Sequence, residues 1–391
     1  MTGRQKKLVA LASLALAAGA GCGGDGGGGG GGGSAPSGGS VVFTISGEEL
    51  SLGGYGFPPA SEDSPAFADG WEVKFTEVLV TVDHLTLSES PDLAPGDQSK
   101  TGKLVAQVDG PWAVDLHKGG PLPGKGGTGE QALQIATLDN QNKNGAKPFA
   151  ADERYAFGFD VVPAAASASI LNLDDQGKAD YELMKQKGYA ILFVGTATFK
   201  GTSCTPTDPA LEALPQVVSF KLGFKTPTTY RNCQNPDNDP AEPFEAEEHL
   251  RGIAIKANQP VTAQVTVHSD HVFWDSFIHD SAPHFDMIAA QAKDVAGTAT
   301  VTLEDLVGID PTAITGKDKS PLPWRSCLAS YTPPGSGQMS FDTGTIPVNP
   351  GGDPKTVIRD LYDYLTYNVS TSGHLNADGL CAVQRNYPSP P

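Results

Sequence analysis

The chain has 391 residues, with 27 Lys and Arg against 45 Asp and Glu and a formal net charge of -18. No basic patch of useful length follows the first residues, which makes nucleic acid and anionic lipid headgroups poor partners. The acidity suits a soluble surface and attracts cations.

Arg4, Lys6 and Lys7 precede an apolar run from Leu8 to Ala18. That is a positive n-region followed by an apolar h-region. The run falls short of the roughly 20 residues needed to span a bilayer, so a transmembrane anchor is disfavoured. Gly19, Ala20, Gly21 and Cys22 come next. They resemble the lipobox of bacterial lipoproteins, where small residues precede a cysteine. The family usually has Leu at the position held here by Gly19. The resemblance implies a signal peptide over residues 1–21, export, cleavage before Cys22, and attachment to the membrane through lipid on Cys22. Two acyl chains suffice for stable anchoring. In that family an Asp directly after the cysteine favours the inner membrane. Gly23 stands here, so the expected place is the outer membrane, with the globular part periplasmic or surface-facing.

Residues 22–40 are nearly all glycine and hold no large apolar side chain. Such a segment cannot bury anything and reads as a flexible tether. Residues 41–391 then form the extracytoplasmic β-rich domain.

Strand signals dominate that domain. Val41–Ile45 is a short apolar, β-branched run. In the segment Trp71–Leu87, Trp71, Val73 and Phe75 alternate with polar residues, and the apolar set then shifts to Val78, Val80 and Val82. A one-residue change of phase inside a strand predicts a β-bulge. Further strands are expected at Leu104–Val108, Trp112–Leu116, Tyr155–Val162, Tyr189–Phe199, Val217–Phe224, Gly252–Ile255 and Val261–His268, separated by Pro- and Gly-rich turns. Short helices are expected at Asp180–Lys187, Pro283–Lys293 and Pro354–Tyr367, the last with Asp353 as N-cap and Pro354 at the first position. The pattern predicts a mainly β fold: an antiparallel β-sandwich-like core with a few short helices.

Besides Cys22 the chain holds Cys204, Cys233, Cys327 and Cys381. An even number in an exported protein predicts two disulfides. Of the three pairings that four cysteines allow, local loop closure favours Cys204–Cys233 and Cys327–Cys381, each worth about 3–4 kcal/mol.

Four of the eight histidines fall between His268 and His284. His268, His271, His279 and His284 are interleaved there with Asp270, Asp275 and Asp280. If Asp270 caps a helix, His271, Asp275 and His279 share one exposed polar stripe. His284 then opens the next helix, where the positive dipole end favours the neutral imidazole. His268, His271, Asp275, His279 and His284 are therefore the candidate ligands for Zn or Cu. Calcium is the lesser candidate, at Asn140, Asn142, Asn144 and Gly145 or at the acidic run from Asp237 to Glu248. The first site lacks the Glu that closes an EF-hand loop.

No catalytic signature is present, and HExxH, CxxC and HxH spacings are absent. The expected function is a non-enzymatic, membrane-anchored binding lipoprotein with a transition-metal site at 268–284. A metal-dependent enzyme using the same cluster, and a structural surface lipoprotein without ligand, are the alternatives.

Overall fold

The computed structural model describes residues 38–127, 129–151, 153–238, 243–333, 335 and 337–386. The expected signal peptide, Cys22 and nearly all of the expected tether lie outside the described residues. Among the described residues no helix is long and apolar enough to cross a membrane.

Two sheets make the fold. The smaller runs, in spatial order, through Gly379–Leu380, Gly373–Leu375, Pro260–Val267, Ser40–Ser46, Gln131–Leu138 and Leu122–Pro123. The larger is built around the long strand Trp71–Ser88, which pairs along one edge with Ile191–Phe199 and then Arg154–Val161, and along the other with Trp112–Asp115 and then Leu104–Val108. Phe43 of the smaller sheet stacks on Phe157 of the larger at 5.8 Å, and one buried apolar cluster draws on both sheets, from Val41 to Leu375. The sandwich-like, mainly β expectation is met. Pairing is mostly antiparallel, but Ser40–Ser46 runs parallel to Pro260–Val267, Val217–Phe224 to Thr298–Thr302, and Trp112–Asp115 to Ser169–Ile170. Alternation reports which face is buried and carries no information on strand direction, so the mixed sheets were not legible locally.

The predicted phase change is a bulge. The register between Trp71–Ser88 and Ile191–Phe199 slips between Phe75 and Glu77. Trp71, Val73 and Phe75 are buried before it, and Val78 and Val80 after it. Gly195 lies opposite Phe75, and a Cβ there would sit 2.3 Å from the Lys74 carbonyl oxygen. Only glycine permits that approach.

The helices are shorter or shifted where long-range pairing competes. Asp175–Lys187 begins earlier than expected because the Asp174 carboxylate accepts the Gly177 N–H at 2.9 Å. Instead of Pro354–Tyr367 the helix is Leu361–Val369, capped by Asp360. Asp353 caps only one turn before Ile358 is taken into a bridge with Val348. Pro283–Lys293 reduces to Asp286–Ala289, because Pro283 bridges Trp274 and Lys293 starts a strand.

Both disulfides exist with a different pairing: Cys204–Cys327 and Cys233–Cys381, at sequence separations of 123 and 148. A bridge between Thr205 and Ser326 sets the first pair side by side. The ladder of Thr228–Arg231 with Ala382–Arg385 sets the second. Sheet pairing had already closed these long loops, so local loop entropy did not decide.

Candidate metal centre

The strand Pro260–Val267 ends at His268, whose N–H donates to the Ser372 carbonyl at 2.9 Å. The chain then makes a single 3-10 turn, His271–Phe273, and leaves it extended at Trp274. Asp270 does not cap a helix; its carboxylate accepts the Trp274 indole N–H at 3.2 Å. Trp274 and Pro283 pair, so the residues between them form a loop rather than a helix. The exposed stripe of His271, Asp275 and His279 is therefore absent. Val272 and Phe273 are fully buried.

The five predicted ligands separate into two clusters. His268, His271 and His279 gather around a residue that sequence reasoning missed, His374. It arrives on the strand Gly373–Leu375, opposite Thr266. One ring nitrogen from each of His268, His271 and His374 lies within 4.8 Å of the others, a group that can hold a metal ion. His268 stacks on His374 at 4.2 Å between centroids, and His271 lies 5.2 Å from both. His279 folds back on its loop to 5.8 Å from His271 and 5.7 Å from His374. Trp274 stacks on His271 at 3.6 Å. His271 and His374 are each 1% exposed and His268 8%.

Hydrogen bonds orient these rings. Thr371 Oγ1 donates to the Asn368 carbonyl, so it accepts from His271 Nδ1 at 2.8 Å. The Thr371 carbonyl accepts from His374 Nε2 at 3.2 Å, and the Ala377 carbonyl from His268 Nε2 at 3.2 Å. These partners fix the tautomers, leaving lone pairs on His271 Nε2 and His374 Nδ1. Both atoms are buried without a partner, as is His279 Nε2. Buried polar atoms are ordinarily paired, so orphaned imidazole nitrogens on two rings of the converging group call for a ligand. A carbonyl or hydroxyl behind each ring is also the usual outer support of a metal-bound histidine.

Electrostatics favour the neutral ligand form at His271 and His374 and the protonated form at His268. Burial, with the neighbouring imidazoles, holds His271 and His374 well below the ordinary histidine range. Burial opposes a charge on His268 too, but Glu48 and Asp270 outweigh it and raise its pKa. Burial pushes the Glu48 carboxyl up to about 7. Zn–N bonds of 2.0–2.1 Å put tetrahedral nitrogens about 3.4 Å apart, so binding would draw the rings slightly inward.

Asp275 and His284 are elsewhere. His284 Nε2 lies 3.3 Å from Asp275 and 3.0 Å from Tyr331 Oη, and its Nδ1 is 3.7 Å from Asp69. Burial opposes its charge, yet Asp275 and Asp69 carry its pKa up to about 9. The expectation of a neutral imidazole is corrected: two carboxylates overrule the weak dipole of a single helical turn. Asp69 also accepts the Phe285 and Asp286 N–H groups at 2.7 Å each. This cluster ties loops together through a buried ion pair of His284 with Asp275 and Asp69.

The calcium candidates are engaged too. Asn142 exchanges two bonds with the Gln107 backbone, and Asn144 holds Gln141 and Lys103. Asp237 pairs with Lys125 and Glu247 with Arg251, while Asp239 and Glu242 lie outside the described residues.

No protein-family model, curated protein or solved structure matches this chain. The reading of the centre rests on its own geometry. The only sequence signal for His374 was the scarcity of histidine, and the strand pairing that delivers it spans about a hundred residues.

Proposed function

We propose that the protein is an extracytoplasmic, non-enzymatic lipoprotein, anchored through Cys22 at the outer membrane, that binds a transition metal, Zn or Cu, on His268, His271 and His374. The carrying observation is the convergence of His268, His271 and His374, whose ligand nitrogens lie within 4.8 Å of one another, with His271 Nε2 and His374 Nδ1 buried and unpartnered. Imidazole suits Zn and Cu, and the absence of any cysteine or thioether in the group argues against Cu(I)-selective chemistry. The His279 ring lies beside this group, 5.8 Å from His271 and 5.7 Å from His374, where a shift of its loop on metal binding would close the fourth position of a holding site. The lipid anchor rests on the lipobox resemblance alone.

X-ray absorption on the purified chain, loaded with Zn and desalted, tests this reading. Retained metal with imidazole nitrogen scattering in every first-shell position is expected. A chain that retains neither Zn nor Cu would overturn it. Acyl chains on Cys22, read by mass spectrometry of the mature N-terminus, test the anchor separately.

A further inference from the structure

His268 also borders a second group of ligand atoms. Its Nε2 lies 3.6 Å from Glu48 Oε1, on the side of the ring that meets the Ala377 carbonyl. One ligand atom from each of Glu48, His268 and Asp378 falls within 4.8 Å of the others, the limit that the three imidazoles also meet. Glu48 is partly buried and Asp378 exposed, so this flank is open to solvent while the imidazole flank is closed. The two groups differ in chemistry and share the His268 residue: imidazoles make up the rest of one, carboxylates the rest of the other.

We propose that the centre holds two divalent cations that share the His268 ring, the second bound by His268 Nε2, Glu48 and Asp378. The second ion is a borderline cation such as Zn or Cu(II), which accepts imidazole and carboxylate together. The proposal rests on the metal-binding reading of His268, His271 and His374. Sharing the ring removes its remaining N–H proton to solvent and makes it a bridging imidazolate. Glu48, Asp378 and that imidazolate offset most of the charge of two divalent ions, which three neutral imidazoles alone would not. The ion enters from the exposed carboxylate side.

The purified full chain is loaded with Cu(II) and desalted, and copper per chain is compared with the electron-spin count. Two coppers per chain are expected, with a spin count well below two because the shared ring couples them. Asp378→Asn changes an exposed side chain and should keep the fold, read by thermal melting; it should hold one copper with a full spin, and Glu48→Gln should do the same. One copper per wild-type chain overturns the second ion and leaves the first intact. So does a second copper that Asp378→Asn retains, which would place it elsewhere, as at Asp83, His84 and Asp109. Two coppers with two full spins overturn the shared ring. A chain that binds no metal overturns the first site as well, so the two failures are distinguishable.

Discussion

Thr371 Oγ1 sits 2.8 Å from His271 Nδ1, and its own proton goes to the Asn368 carbonyl 2.7 Å away. The hydroxyl therefore accepts, and the imidazole presents its Nε2 lone pair inward. Through its carbonyl the same residue orients His374. Thr371→Val keeps the side-chain shape and removes the acceptor. Loss of such outer support typically lowers metal affinity 10–100-fold. A competition titration against a chelator should show that drop, with stability falling by about 1 kcal/mol. Unchanged affinity would mean that Thr371 does not orient His271.

His284 makes stability depend on pH. Its folded pKa, about 9, lies above the ordinary value near 6.5. The stabilisation is therefore complete below about pH 6.5 and is lost as pH rises through 9. Its size is roughly 3 kcal/mol. Denaturant melts of wild type and His284→Gln should differ most in mild acid and converge in alkali. A gap that does not change with pH would show that the ring is not held as imidazolium.

The bulge in the strand Trp71–Ser88 brings the Lys74 carbonyl oxygen against Gly195. Gly195→Ala places a methyl group 2.3 Å from that oxygen and 2.6 Å from the Phe220 ring. Overpacking of this kind costs about 1–3 kcal/mol, and urea denaturation should register it. A neutral result would mean that the strands have room to separate.

Peptide mapping of the unreduced protein should link Cys204 to Cys327 and Cys233 to Cys381. Because each bridge closes a long loop, chain entropy assigns it about 5 kcal/mol. Recovery of Cys204 linked to Cys233 would contradict the strand order itself.

Much of the sheet framework was legible, since alternation marks a half-buried strand wherever it occurs. The bulge could be read because the apolar phase changes between Phe75 and Val78. The histidine-rich segment also announced itself. What local pattern could not reveal is what arrives from far away. His374 comes in on the strand Gly373–Leu375, the disulfides follow from that same long-range order, and Asp275 leaves the expected ligand set because His284 and the Tyr331 hydroxyl draw it into a separate cluster. The helical stripe failed for a related reason. Trp274 pairs with Pro283, and this contact unwinds the turn after Phe273.

His374 is where the structure departs furthest from the sequence, so its removal tests the centre most directly. Calorimetric titration with Zn and Cu should show stoichiometric binding to the wild-type protein and its loss in His374→Ala, with thermal melts confirming that the variant is folded. Stoichiometric binding that survives His374→Ala, or a wild-type protein that takes up neither metal, would contradict the account.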